Sequence, residues 1–476
     1  MRKTKIVCTL GPATEDRALV REMILSGMDV ARMNFSHNTH EDHKHRIDMI
    51  KELRQELQRP VALLLDTKGP EIRLRNFKGG KVTVEKDSTF TLTTRSVEGT
   101  ADEVSVTYSK LPDEVKAGDR ILIDDGKIHL QVKTVTDTDI VCRVIHGGTL
   151  SNHKSINIPN ISLSIPYLSE QDKEDLLFGI EQDVDFVAAS FTRCKEDVIA
   201  LRKFLDYHGG HDIRIIAKIE NTEGVNNFDE ILSHSDGIMV ARGDMGVEIE
   251  YERLPGLQKR FIRRCYQSGK MVITATQMLE SMVTNPTPTR AEITDVANAV
   301  FDGTSAVMLS GETAAGNHPL KAVRVMAKIA EQAEEDAGLM DAYQGIRYDM
   351  DASDTTNAVC DAACTTARDI KAKAIIALTK YGQTARRMSK FRPGVAIVAA
   401  TPVEKTFHQL ALSWGVYPVL ARYQKTSDEL FTHAIDCAKQ IDAVEDGDHV
   451  VIVAGIPLDT SGSTNLLKVE IVGNKR

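Results

Sequence analysis

The chain has 476 residues, 42% apolar and 27% charged, and its 59 basic against 68 acidic side chains leave a net charge of −9. It is too long for one ordinary core, which predicts two to four domains, and its mild acidity without any Lys/Arg block argues against a nucleic-acid surface. No apolar run approaches the length of a membrane span. The seven scattered cysteines never form a C-x-x-C pair, which suits a reduced, cytoplasmic compartment better than a disulfide framework or a zinc site.

The N-terminal MRKTKIVCTLG sets basic residues before an apolar run too short for a signal peptide, and is expected to be a first strand. Seven further runs follow: DVARMNF (29–35), VALLLDT (61–67), DFVAASF (185–191), RIIAKIE (214–220), GIMVARGD (237–244), MVITATQ (271–277) and SAVMLSGE (305–312). Helical patterns such as DRALVREMILSG and EITDVANAVFDG lie between most of them, several closing on Gly as a helix C-terminus should. Eight buried strands alternating with helices predict a (β/α)8 barrel over residues 1–69 and 168–345. Between them, runs with period 2 such as KVTVEK, TFTLTT and KIHLQVKTV predict a small all-β domain, a β-barrel lid, inserted after strand 3 over 70–167. A polar linker, DAYQGIRYDMDASDT, precedes a second β/α alternation. This predicts an open, mostly parallel C-terminal sheet with helices on both faces, over 346–476.

Barrel strands open at their C-terminal ends, where function resides in essentially all such folds. Those ends carry Thr9; Arg32, Asn34 and Ser36; Asp66 and Thr67; Lys218 and Glu220; Arg242 and Asp244; Thr276 and Gln277; Ser310 and Glu312. One charged strand end is ordinarily a solvated terminus, but six strands ending this way point to a site. Glu220 and Asp244 lie on adjacent strands, so their oxygens suit one hard cation, Mg2+ or Mn2+. The alternative is a structural salt network with Lys218 and Arg242. Lys218 lies two strand rises, roughly 6.6 Å, from Glu220. That spacing predicts room for a small anion between ammonium and metal, where an enolate or a transferring phosphoryl group would be stabilised. Asn34, Ser36, Asp66 and Thr67 form either a low-charge oxygen cage for a monovalent cation or ordinary strand-end hydrogen bonds.

MNFSH (33–37), LDTKGPEIR (65–73), AKIEN (217–221), VARGDMGVE (240–248), TATQMLESM (274–282), NPTPTRAE (285–292) and DVANAVFDGTSAVMLSGETA (295–314) resemble the pyruvate kinase family, and the resemblance covers the whole chain. It implies phosphoryl transfer from phosphoenolpyruvate to ADP, giving pyruvate and ATP, with Mg2+ (or Mn2+) and K+. The resemblance gives Lys218 the phosphoryl group and the enolate, Glu220 and Asp244 the Mg2+, and Arg32 the substrate phosphate. Gly243 and Thr276 would bind the substrate carboxylate, with Thr276 near the proton that ends the reaction. Asn34, Ser36, Asp66 and Thr67 would hold K+, with Asn34 also near the nucleotide. Arg73, His37 and Lys154 would reach the nucleotide phosphates, Arg73 counting among the catalytic residues. In the family a carboxylate at Glu71 accompanies K+ dependence, whereas Lys there replaces the ion. A homotetramer is implied on the same ground, and no nucleic-acid or membrane partner is expected.

The chain departs from the family at Asn38, where Gly is common but Asn still tolerates left-handed φ. It departs also at Ser155 and Asn160, usually Gly, in the lid loop HKSINIPN, and at Met245, a volume-conserving change from Leu. GGTLSNHKS (147–155) resembles a P-loop, but His153 replaces the required Gly and no helix pattern follows, so a plain loop is expected. In HNTHEDHKH (37–45), Thr39, Glu41 and Asp42 mark a helix start, and its histidines other than His37 are expected on a solvated face. Cys360 and Cys364, one helical turn apart, are expected to pack as small apolar groups. TKYGQT follows a strand and opens a helix, an arrangement that binds phosphate. In the family this loop takes a sugar-phosphate or nucleotide effector, implicating Thr379, Lys380, Gly382, Gln383 and Thr384, with Ser461 and Gly462 facing them; an ordinary turn is the alternative. Two other functions fit parts of the pattern: a lyase working through a Mg2+ enolate, and a non-catalytic effector-binding protein. The lid and Arg73 argue against the first, the intact Lys218, Glu220, Asp244 and Thr276 against the second.

Overall fold

The structure is a computed structural model that describes residues 1–339, 354–424, 426–457 and 464–474. Eight parallel strands close into a barrel: β1 (Lys5–Thr9), β2 (Val30–Asn34), β3 (Ala62–Asp66), β4 (Phe186–Ala189), β5 (Arg214–Ile219), β6 (Gly237–Ala241), β7 (Met271–Ala275) and β8 (Ala306–Leu309). Each strand pairs with its sequence neighbours, and β8 returns to β1 with Lys5 opposite Ala306 and Cys8 opposite Leu309. Nearly every strand residue is buried, because one face packs on helices and the other fills the lumen.

The period of 2 divides each strand between these faces. Val7, Val30, Ala62, Leu64, Phe186, Ala188, Ile216, Met239, Ile273 and Met308 form the lumen core. Continuing the same parity toward the C-terminal ends places Thr9, Arg32 and Asn34, Asp66, Ser190, and Lys218 with Glu220 at the lumen's mouth. The lumen floor is closed from another domain, by Ala411 and Leu412, which join this cluster.

The insert leaves after β3 and returns before the helix Glu170–Glu181. It consists of a seven-stranded sheet and a two-stranded ribbon, Lys81–Val84 with Gly148–Ser151, around one apolar core. The expected all-β character holds, but the strands form these two ladders rather than a single closed one. The segment resembling a P-loop is strand, turn and strand (Gly148–Ser151, then Ser155–Asn157), with no helix after it.

The C-terminal sheet has the order β11–β10–β9–β12–β13, from β9 (Ala374–Leu378), β10 (Ala396–Thr401), β11 (Val416–Leu420), β12 (His449–Ala454) and β13 (Leu466–Ile471). All pairs are parallel except β12 with β13. Cys360 is fully buried in its core and Cys364 packs against that core, as expected. Burial pushes the Cys360 thiol up to about 12, so it is an inert packing group. The linker and the 345/346 boundary expected between barrel and C-terminal domain lie outside the described residues. No described helix is long and apolar enough to cross a membrane.

The helix His40–Leu57 starts as its sequence predicts, with Thr39 and Asp42 in a reciprocal capping box. His45 is exposed as expected, but its neighbours correct the expectation of a fully solvated face. His43 is buried, stacked on Phe35 with ring centroids 4.1 Å apart, and shares a 2.9 Å hydrogen bond with the His37 carbonyl. His40 lies 2.6 Å from the Asp175 carboxylate. An imidazole's apolar face and polar edge let it serve in a helix–barrel seam that composition alone assigns to water.

Candidate active site at the barrel mouth

Lys218 is the centre of the mouth. Its ammonium lies 3.0 Å from Asp66 Oδ1, 2.7 Å from Ser190 Oγ and 3.0 Å from Glu220 Oε1. Of its three donors, two make hydrogen bonds, to Asp66 and Ser190, and Glu220 adds an ion pair. Asp66, fully buried, also accepts from Arg32 Nε at 2.6 Å, while Arg32 Nη1 donates to Thr9 Oγ1 at 2.8 Å. Burial alone would push the Asp66 carboxyl up, but Arg32 and Lys218 outweigh it and hold it below the usual range. Burial would likewise lower Lys218, but Asp66 and Glu220 keep its ammonium firmly protonated.

Glu220 behaves differently. Burial, with Asp244 adding to it, pushes its carboxyl up to about 7 despite Lys218 and a 2.6 Å hydrogen bond from the Phe191 N–H. Asp66, Glu220 and Asp244 bring three negative charges against the two of Arg32 and Lys218, leaving one in excess. A carboxylate pair, Glu220 buried and Asp244 half-buried, with surplus charge and hard oxygen donors fits a divalent cation. Among the described residues no group of three or more His, Cys, Asp or Glu could hold a metal ion. A cation held by Glu220 and Asp244 would complete its shell with oxygens other than further carboxylates, such as water or substrate.

The contact between Lys218 and Glu220 corrects the expected gap: the side chains converge rather than leaving space for an anion. The arrangement at β6 differs as well. The strand stops at Ala241 and a helix, Arg242–Glu248, begins at once. Arg242 is turned away, donating to Asp295 Oδ1 at 2.7 Å and to the Thr276 carbonyl at 2.6 Å. The helical turn, not strand parity, carries Asp244 toward Glu220. Glu312 is also structural: it is fully buried and accepts from the Leu279 and Ser310 N–H groups at 3.0 and 2.7 Å. Gln277 is exposed.

After β7 the backbone enters the left-handed region twice, at Thr276 (φ 67°) and Gln277 (φ 55°). For a β-branched Thr this is a strained conformation of the kind that clusters at functional sites. It brings Thr276 Oγ1 to 2.7 Å from the Gly243 N–H. Asn34 and Asp66 are register partners on β2 and β3, and Asn34 Oδ1 accepts from the Ser36 N–H at 3.2 Å. Thr67 Oγ1 lies 3.2 Å from the Ser190 N–H, and the Thr67 carbonyl 2.6 Å from Ser190 Oγ. Asn38 takes φ 69° and Asn160 φ 66°, so both departures from Gly keep the backbone conformation that Gly would allow. Ser155 instead lies in a strand opposite Arg73.

The residues expected to reach the nucleotide make other contacts. Arg73 pairs with Glu71 Oε2 at 2.7 Å and donates to the His153 carbonyl at 2.9 Å. Lys154 pairs with Asp124 of the lid at 2.8 Å, and His37 is exposed. A cleft of about 390 Å³ separates lid and barrel, lined among others by Glu71, Asn157, Phe191, Asp244 and Glu248. In the C-terminal domain the Gly382 N–H donates to Thr379 Oγ1 at 3.0 Å, and Thr384 meets Thr464 hydroxyl to hydroxyl at 2.8 Å. Lys380 and Gln383 are exposed, and Ser461 and Gly462 lie outside the described residues. Ser190 was not among the residues picked from strand ends. Its signal was present, since Phe186, Ala188 and Ser190 share the lumen parity of β4.

A sequence model of the pyruvate kinase barrel domain matches residues 1–323, and one of the pyruvate kinase alpha/beta domain matches residues 357–470. A pyruvate kinase of Clostridium acetobutylicum is 47% identical over 473 residues, covering 99% of this chain and 100% of the relative. One of Staphylococcus aureus is 46% identical over 477 residues, which are 81% of that longer chain. The crystal structure of a pyruvate kinase from Cryptosporidium parvum aligns with a TM-score of 0.92 at 39% identity, covering 99% of this chain and 96% of its own. With the closed barrel, the inserted lid and the open C-terminal sheet all in place, the chain belongs to the pyruvate kinase family, phosphotransferases that move a phosphoryl group between phosphoenolpyruvate and ADP.

Proposed function

We propose that the barrel mouth performs this transfer with the following division of labour. Arg32 and Lys218 receive the phosphate of phosphoenolpyruvate. The Gly243 N–H and the Thr276 hydroxyl, now bonded to each other, exchange that bond for the substrate carboxylate. Glu220 and Asp244 hold Mg2+ (or Mn2+), which when bound neutralises the phosphoryl oxygens and the enolate oxygen. With Glu220 holding the cation, Lys218 would keep its hydrogen bonds to Asp66 and Ser190 and present its third N–H to the transferring group. The ADP β-phosphate oxygen bonds to phosphorus while the bond to the enol oxygen breaks, and Lys218 stabilises the released enolate. A proton delivered at C3 on the Thr276 side completes pyruvate. Arg73, His37, Lys154 and Asn34 meet the nucleotide once the lid closes, which requires Arg73 and Lys154 to leave Glu71 and Asp124. Asn34, Ser36, Asp66 and Thr67 hold K+, whose charge supports the substrate phosphate. The Thr379–Thr384 loop takes a sugar-phosphate or nucleotide effector, and the working form is a cytoplasmic homotetramer.

The observation that carries this reading is the Lys218 ammonium, held by three acceptors of which one, Glu220, is poised near neutrality to exchange it for a metal. The test is pyruvate formation from phosphoenolpyruvate and ADP with Mg2+, once in K+ and once in Na+. Strong turnover in K+ and weak turnover in Na+ is expected. Equal turnover removes the monovalent site, and no turnover in either removes the mechanism.

A further inference from the structure

Between the N-terminal face of the barrel, opposite the mouth, and the C-terminal domain lies an open cavity of about 740 Å³. Its walls carry Arg202, Arg214 and Lys270 from the barrel and Arg386 from the helix Gln383–Lys390. The carboxylates lining it are Asp206, Asp212 and Asp236. Two of these are already engaged. Asp236 accepts from Arg214 Nη1 at 2.8 Å and from the Ile215 N–H at 2.9 Å, and Asp206 takes Arg202 at 3.2 Å. Lys270 donates to the Leu232 and Ser233 carbonyls, at 2.5 and 3.0 Å, and meets no carboxylate.

Arg386 is the group left over. Its one hydrogen bond runs from Nη2 to the Tyr381 carbonyl at 2.5 Å, and its Nη1 is buried with no acceptor among the described residues. The guanidinium lies against Gly382, where a Cβ would stand 2.6 Å from Nη1. Burial and the facing Arg214 push it down to about 9, far below an ordinary arginine, with only Asp236 opposing. A guanidinium keeps its proton in proteins, so a buried one with an unpaired N–H is relieved by an anion. Three cations from two domains around a polar cavity suit a tetrahedral dianion better than a planar monoanion.

We propose that this cavity is a binding site for a phosphate dianion, free or carried on a small phosphomonoester, with Arg386, Arg214 and Lys270 as its cationic walls. It is separate from the phosphates handled at the barrel mouth. The cavity is larger than one phosphate needs, which leaves room for an organic body. Because Arg386 also holds the Tyr381 carbonyl, an anion here pulls on the 379–384 loop.

The test is titration calorimetry on the full chain with Mg2+ and phosphoenolpyruvate saturating the mouth and ADP absent. Inorganic phosphate and glycerol 2-phosphate are the probes. Arg386→Gln and Lys270→Gln are each expected to weaken binding at least about tenfold, while Lys439→Gln on the helix Ser427–Gln440 leaves it unchanged. Tighter binding of the ester assigns the site to phosphomonoesters, and equal binding assigns it to the free ion. Wild-type affinity in both Arg386→Gln and Lys270→Gln overturns the proposal, as does an equal loss in Lys439→Gln or no uptake by the wild type. Thermal unfolding of each variant separates lost binding from lost folding.

Discussion

At the residue scale the site is an exchange of partners around one ammonium. Lys218 has three donors, two hydrogen bonds and one ion pair, to Glu220, so the chemistry depends on whether that ion pair opens. Ser190 and Asp66 fix the nitrogen while Glu220 is the partner that a metal can take. Ser190→Ala removes a 2.7 Å contact to a charged group, worth roughly 1.5–3 kcal/mol. We expect kcat to fall about 10- to 100-fold, with a much smaller change in the KM for phosphoenolpyruvate and a lowered melting temperature, because Ser190 also bonds Asp66 and Thr67. A kcat near that of the wild type would mean that Asp66 alone positions Lys218. Glu220 makes a second prediction. Its folded pKa, about 7, is above its ordinary 4.5, so the folded state binds the proton more tightly and wild-type stability declines as pH rises through that window. Glu220→Gln abolishes turnover but removes this penalty. Its stability relative to wild type improves between about pH 5 and pH 8 by on the order of 1–3 kcal/mol. Urea unfolding of both proteins at the two pH values checks it; parallel pH profiles would rule out a titrating Glu220.

At the scale of elements, strand parity and strand ends did different things. Parity is a property of the local backbone, so Arg32, Asp66, Lys218 and Glu220 could be placed on one face from sequence, and Ser190 obeyed the same rule. Where the backbone leaves the strand, parity fails. Arg242 follows Ala241 directly into a helix, and Thr276 enters a left-handed turn; neither side chain's direction was legible, because it depends on what the next element packs against. The strand at the lid's base, Ile72–Arg73, carries the Glu71–Arg73 pair at 2.7 Å. Burial pushes the Glu71 carboxyl up against the pull of Arg73, so a carboxylate is held there at some cost. Glu71→Lys puts a fixed cation in its place. The ratio of turnover in K+ to turnover in Na+ is expected to drop by about tenfold or more. A ratio equal to that of the wild type would show that Glu71 has no part in the monovalent-ion requirement.

At the scale of the whole molecule, the C-terminal domain completes the barrel as well as following it. Ala411 and Leu412 close the lumen floor, Lys5 Nζ reaches the Val416 carbonyl at 2.7 Å, and Gln409 Nε2 donates to the Asp212 carbonyl at 2.7 Å. His408 lies in this seam, buried, with neither ring nitrogen hydrogen-bonded among the described residues. Burial, with Arg54 and Lys405 nearby, pushes it down to about 3 from an ordinary 6.5. Below 6.5 the unfolded chain takes a proton that the folded one refuses, so stability is lost as pH falls toward 3. The loss at pH 5 is about 2 kcal/mol. His408→Phe is expected to remove most of it, so that the mutant's unfolding free energy changes less between pH 7 and pH 5 than that of the wild type. An acid sensitivity unchanged by the substitution would place the titrating group elsewhere.

The sequence by itself determined the periodicities, and with them the eight strands, the all-β insert, the open C-terminal sheet and the polar ends of the barrel. Those signals are local: alternation, apolar runs and caps depend on residues a few positions apart. Only the tertiary structure decided that Lys218 and Glu220 touch, that Asp244 arrives on a helical turn, that His43 is buried, and that Arg386 faces the barrel with no ion pair among the described residues. Each of these depends on groups tens to hundreds of residues apart. Contact at that range is set by how elements pack, which no single stretch of sequence encodes.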